Sequence, residues 1–134
     1  MTKYKRALLF GTFNPLHCGH LRLFRKALEI ADEVYVCIDS DSYIRSWKKR
    51  EPFGSEEERI ADIEMINGIH FAGIEDQFIG RTKEYWIDQI KPDVLIKGDD
   101  TNKATWNGKN LGVKVEYVEH TPCIHSTNIW NGNG

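Results

Sequence analysis

The stretch Leu8–Leu28, LLFGTFNPLHCGHLRLFRKAL, decides how the rest of the chain is read. It begins as the end of an apolar run, YKRALLF, and turns at Gly11. It then becomes a segment with Leu21, Leu23, Phe24, Ala27, Leu28 and Ala31 on or near one face of a helix. A strand that turns directly into a helix is the first half of a βαβ unit. Two histidines, His17 and His20, stand at the junction. They lie about one helical turn apart and can point the same way. Gly11 allows a tight turn and a close backbone approach, Thr12 and Asn14 are polar caps, and Pro15 stiffens the loop. Gly19 lets a ligand or another backbone pass the helix start. A helix N-terminus offers free N–H groups and partial positive charge, which suit a phosphate.

The same alternation continues downstream. EVYVCID reads as a second strand, SDSYIRSW as a short helix, and KKREPFG as a basic loop. SEEERIADIEMI opens with Ser55 three residues before Glu58, a capping box. IHFAGI is a third strand, and TKEYWIDQI a helix that stops before Pro92. DVLIKG and VKVEYVE are strands separated by DDTNKATWNGKN, a loop or irregular helix, and STNIWNG is a final helical turn or two. The order predicts an α/β fold: one Rossmann-like, doubly wound, five-stranded parallel sheet in order 3-2-1-4-5, spanning 1–134 as a single domain. In such sheets ligands bind beyond the carboxyl ends of the strands. GTFNPLHCGH, GDDTNK and HTPCIHST all follow strands, and all are polar and rich in His, Asp, Ser or Thr.

Composition narrows the function. The chain has 134 residues, 40% hydrophobic and 28% charged, enough for a real core. A net charge of −2 gives no overall field for nucleic acid or anionic lipid. No apolar run is long enough to span a membrane, and MTKYKRALLF is too short for a signal peptide. Cys18, Cys37 and Cys123 show no C-x-x-C spacing, so free thiols and a cytoplasmic location are expected. Cys37 belongs to an apolar run and is expected in the core. The four tryptophans are expected to pack, with Trp106, in a polar loop, the one to suspect of touching a ligand.

Three readings of His17 and His20 remain at this level. A metal site is disfavoured, because helical zinc pairs are usually i, i+4 and no third ligand follows at a recognisable spacing. A structural turn would have both rings cap the helix and pack on the sheet. A phosphate site would have both rings donate to phosphate oxygens as charge builds up in a displacement. Neither G-x-x-x-x-G-K-[ST] nor G-x-G-x-x-G occurs, so a P-loop or a standard dinucleotide fingerprint is not the answer.

GTFNPLHCGH resembles the G-[TS]-F-[DN]-x-x-H-x-G-H signature of the cytidylyltransferase-like nucleotidyltransferase superfamily, whose fold is of the HUP type. HTPCIHSTNI is similar to the R-T-x-G-I-S-T-T-x-I segment of those enzymes, and KPDVLIKGDD to their fourth strand and acidic turn. The resemblance covers nearly the whole chain and is nearest the small glycerol-3-phosphate and ADP-heptose branch. It implies transfer of a nucleoside monophosphate from CTP or ATP to a small phosphorylated polyol or sugar, with pyrophosphate released. CTP and glycerol 3-phosphate are the first pair to try, an ADP-heptose-type adenylyltransferase the alternative, and a nucleotide-binding module without turnover a third. By resemblance His17 and His20 contact the triphosphate, and Lys48 and Arg50 clamp it from a basic loop. Gly11, Thr12, Phe13, Asn14, Gly19, Gly98, Asp99, Asp100, His120, Ser126 and Thr127 line the nucleotide site. Lys49, Arg59 and His125 are candidate substrate contacts. Mg²⁺ would ride on the nucleotide and be only partly held by protein, with no residue assigned as its ligand, and a homodimer is expected. The chain departs from the pattern at His120, where those enzymes carry Arg, at Cys123 for Gly, and at His125 for the first hydroxyl of S-T-T.

Overall fold

The computed structural model describes residues 2–119. Strands β1 (Tyr4–Gly11), β2 (Ala31–Asp39), β3 (Ile69–Glu75), β4 (Val94–Gly98) and β5 (Lys114–Val118) alternate with helices. These are α1 (Cys18–Ile30), α2 (Asp41–Trp47), α3 (Glu56–Glu64) and α4 (Lys83–Ile90), with one 3-10 turn at Gln77–Ile79. The strands form one sheet in order β3-β2-β1-β4-β5, and every pairing is parallel. This is the doubly wound arrangement expected from the order of the elements.

The alternation of β1 shows why both faces must be covered. Ala7 and Leu9 point into a core with Phe24 and Ala27 of α1 and Ile63 of α3. Leu8 and Phe10 point the other way, into a core with Cys37 and Leu95 that Trp86, Ile87 and Ile90 of α4 pack against. Successive side chains of a strand take opposite faces, so a central strand apolar throughout needs helices on both sides.

The helix ends follow their sequence signals. Ser55 caps α3 by accepting from Glu58 N–H at 3.1 Å, and Glu58 accepts from Ser55 N–H at 3.0 Å. Thr82 caps α4, which ends at Lys91 in the left-handed region just before Pro92. The segment after β4 is a run of turns tied by Trp106 N–H to the Asn102 carbonyl, not a helix.

Two details differ from expectation. Trp47 is 66% exposed and stacks on Tyr43 instead of joining the core. Cys37 is a buried free thiol, as expected, but Cys18 is disulfide-bonded. The final helix, Trp130 and the candidate residues His120, His125, Ser126 and Thr127 lie outside the described residues. Among those described, no helix is long and apolar enough to cross a membrane.

The site that the fold positions lies at the carboxyl ends of β1 and β4. Ala7 is level with Val94 and Leu8 with Leu95. Carried forward, that register sets Gly98 level with Gly11, so the loops after these strands open on the same edge.

Candidate active site

A cavity of about 470 Å³ sits on that edge. Its walls include Gly11, Thr12, Phe13, His17, Gly19 and His20 from the first loop and α1, and Gly98 and Asp100 from the end of β4. Two distant segments of sequence therefore meet as the fold class requires.

The two histidines build the start of α1. His17 is the N-cap, and its Nδ1 accepts from Gly19 N–H at 3.1 Å. His20 reaches back so that its Nδ1 accepts from His17 N–H at 3.2 Å. This is a capping box assembled from two imidazoles in place of Ser and Glu. The rings stack with centroids 3.7 Å apart and planes 20° from parallel. Because each Nδ1 accepts a backbone N–H, the neutral ring carries its proton on Nε2. The structural and phosphate readings of this pair are thus compatible: one nitrogen of each ring serves the helix, and the rings themselves line the cavity.

Phe13 holds this arrangement in place. Its backbone has φ 48°, unusual for a bulky residue. The turn folds its ring over Gly11, where an added Cβ would lie 2.7 Å from the ring. The ring meets His20 edge-on at 5.1 Å and Phe24 at 5.0 Å. At Gly98 the approach is also close, since a Cβ there would lie 2.8 Å from the Asp100 carboxylate and would have to displace it.

Asn14 has a different place. It is buried, and its side chain exchanges two hydrogen bonds with the Phe53 backbone, at 2.8 and 2.9 Å. Arg50 donates to the Asn14 carbonyl and, at 3.3 Å, to its side-chain oxygen, while its guanidinium lies 4.8 Å from the Phe53 ring centroid. Arg50 thereby braces the first loop against the segment before α3. Neither Asn14 nor Arg50 lines the cavity. Of the basic loop, Lys48 reaches the cavity, whereas Lys49, with φ 60°, does not.

Arg59 is 2% exposed and also stands away from the cavity. It donates to the Asp39 carbonyl at 2.8 Å and the Asp41 carboxylate at 2.7 Å. It ties α3 to the turn between β2 and α2. Asp99 extends the β4–β5 pairing through its N–H, which donates to the Val118 carbonyl at 2.8 Å.

Several cavity residues were not singled out from the sequence. Asp39, at the end of β2, accepts from the Thr12 hydroxyl at 2.6 Å. Lys83 donates to both oxygens of Glu75 at 2.8 Å, a pair that is mostly buried. Burial pushes the Glu75 carboxyl up, partly offset by Lys83. Lys97 donates to the Phe10 carbonyl at 3.2 Å, and burial pushes its ammonium down. Arg22, Tyr43, Thr101, Asn107 and Glu119 complete the new contributors, and Trp106 does line the cavity as suspected. The signal for Lys97 was available: a lysine that interrupts an apolar strand one residue before its terminal Gly faces the binding edge. Lys83 and Arg22 lie on ordinary amphipathic helices, where nothing separates them from surface charges.

The chemistry of this cavity is that of an anion site. Imidazole and ammonium donors converge beside a helix N-terminus, with Asp39 and Asp100 as hard oxygen donors on the walls. Among the described residues no group of three or more His, Cys, Asp or Glu could hold a metal ion.

Comparisons with known proteins agree with this geometry. The cytidylyltransferase-like family model matches residues 8–130. The bifunctional protein HldE of Syntrophotalea carbinolica is 32% identical over 124 residues, which cover 89% of this chain and 25% of that protein. The FAD synthase of Pyrococcus horikoshii is 28% identical over 120 residues, 84% of this chain and 78% of that one. The chain therefore spans about a quarter of the HldE protein and most of the FAD synthase. Among solved structures, a lipopolysaccharide core biosynthesis protein from Thermoplasma volcanium superposes with TM-score 0.71 at 22% identity, covering 89% of this chain and 99% of that one. A bifunctional NMN adenylyltransferase/ADP ribose pyrophosphatase from Francisella tularensis gives 0.60 at 18% identity, over 96% of this chain and 43% of that one. At those identities the structures speak for the fold. With the family model spanning both the histidine turn and the end of β4, the chain belongs to the cytidylyltransferase-like family of nucleotidyltransferases.

Proposed function

We propose that the protein transfers a nucleotidyl group from a nucleoside triphosphate to a small phosphorylated sugar or polyol. A phosphate oxygen of the acceptor attacks the α-phosphorus in line. One P–O bond forms, the α–β bridging bond breaks, and pyrophosphate leaves with the electron pair. The acceptor phosphate is already a nucleophile, so positioning and charge neutralisation carry the catalysis. The observation that supports this reading is the stacked pair His17–His20, whose Nδ1 atoms are committed to the helix start. Their Nε2–H edges are the donors for the triphosphate oxygens, and Lys48 adds charge from the rim. Mg²⁺ arrives as the counter-ion of the triphosphate, and Asp39 and Asp100 offer the oxygen chemistry it prefers.

Two choices of nucleotide and acceptor follow. CTP with glycerol 3-phosphate is favoured by the Gly98–Asp100 turn at the cavity. ATP is favoured by the HldE relatives and by FAD synthase, whose product's name carries an adenine dinucleotide, and a sugar-phosphate acceptor by the HldE relatives alone. The relatives tip our reading toward ATP. The deciding experiment measures pyrophosphate release with CTP and ATP against glycerol 3-phosphate, hexose and heptose 1-phosphates and FMN, each with Mg²⁺. Release with one pair identifies the substrates. Nucleotide binding with no release across the panel would reduce the protein to a binding module.

A further inference from the structure

The cations around the cavity sort by their partners. Lys83 is neutralised in place by both oxygens of Glu75. Lys48 is an exposed residue at the end of α2. Lys97 is neither. It follows the buried Val94, Leu95 and Ile96 in β4, and the strand carries it to the binding edge. Its Nζ makes one hydrogen bond, to the neutral carbonyl of Phe10, and lies 5.5 Å from the Trp106 ring centroid. No ion pair among the described residues includes it, and Asp39, the acidic group that most favours its charge, also accepts the Thr12 hydroxyl. An ammonium has three N–H donors, and at Lys97 burial outweighs the support that Asp39 and Asp100 give its charge. An anion in the cavity that Lys97 lines would meet donors that the Phe10 carbonyl does not.

The geometry points to Lys97 as a substrate-phosphate ligand on the cavity floor, reaching from β4 the cavity that His17 and His20 line from α1. This rests on the nucleotidyl-transfer reading of the cavity and adds a residue to it. It also supplies the inner cation that Arg50, committed to Asn14, does not.

Calorimetry with inorganic pyrophosphate and with glycerol 3-phosphate separates the two possible phosphate sources. It is run on the unmodified protein, on Lys97→Met and on Lys103→Met, a change on the exposed loop outside the cavity. Lys97→Met should weaken one of the two ligands by about tenfold or more, the loss of one charge-assisted hydrogen bond. Lys103→Met should stay within about twofold, as expected for an exposed charge. Weakening of pyrophosphate places Lys97 on the nucleotide side, and weakening of glycerol 3-phosphate alone places it on the acceptor side. Thermal melting confirms that the variant is folded, and Lys97→Arg, which keeps the charge, should retain binding. If the unmodified protein binds pyrophosphate and Lys97→Met binds both ligands equally well, Lys97 is not a ligand while the cavity reading stands. If the unmodified protein binds neither, the cavity reading fails and this inference fails with it.

Discussion

Helices α1 and α3 begin with the same device made from different chemistry. At α3, Ser55 and Glu58 exchange side-chain-to-backbone hydrogen bonds on the protein surface. At α1, His17 and His20 do the same at the cavity. Both pairs satisfy N–H groups that a helix start leaves without partners. If capping were the whole task, Ser and Glu would serve at α1 as well. Imidazole adds a second nitrogen on the far side of the ring. The difference teaches that a helix start can carry two duties at once: Nδ1 serves the fold, and in the function proposed above Nε2 meets the ligand.

That contrast is open to a direct attack. The double variant His17→Ser, His20→Glu installs the α3 box at α1. The helix should survive, with melting within a few degrees of the parent, because the caps are equivalent. Pyrophosphate release should fall by more than about a hundredfold, since one transition-state donor alone is worth about 3 kcal/mol and two are removed. His20→Ala alone should lose about a hundredfold with the fold intact. Near-normal turnover in either variant would reduce the histidine turn to a cap.

The basic loop supplies a second contrast, between neighbours two residues apart. Arg50→Met should destabilise the fold by about 1–3 kcal/mol, since it removes charged hydrogen bonds from the buried Asn14. Lys48→Met should leave melting unchanged and lower turnover by about tenfold, the worth of one charge-assisted contact. A reversal, with Lys48 controlling stability and Arg50 turnover, would mean that the loop adopts another register with substrate bound.

These pairs show what was legible in the sequence. The strands, both helix faces and the histidine turn could be read because apolar periodicity and short spacings determine them locally, whereas the strand order rested on the crossover rule and the family resemblance. The roles of Arg50 and Arg59 could not. A guanidinium reaches several ångströms, and its direction depends on partners far along the chain: Asn14 for one, and Asp41 with the Asp39 carbonyl for the other. Lys97 was passed over for another reason. Its place one residue before the terminal Gly of an apolar strand was a signal, but the run reads as core until the level register of β1 and β4 sets its end beside the cavity.

Ser55→Ala tests the other half of the capping comparison. It should cost about 1 kcal/mol of stability and leave turnover unchanged, because α3 bears no cavity residue. A loss of turnover without a loss of stability would show that α3 communicates with the site.

The smallest expected effect is a fraction of a proton, and it reports on Lys97. Burial holds its ammonium below the usual 10.5. The charged groups acting on it are Asp39 from β2, Lys83 from α4, Asp100 from the turn after β4 and Lys48 from the end of α2. Between the lowered value and 10.5 the unfolded chain binds more protons than the folded one, so this group makes stability rise with pH across that window. A polyphosphate in the cavity reverses the bias, because its negative charge favours the ammonium. Binding must then take up protons, increasingly so as the pH climbs above the lowered value. Pyrophosphate titrations in two buffers with different ionisation enthalpies should give different apparent heats there. Lys97→Met removes the titrating group and Lys97→Arg keeps its charge fixed, so each should lose the part of that difference that grows with alkaline pH. Identical heats in both buffers for the unmodified protein throughout that window would mean that the ammonium and the phosphate do not meet.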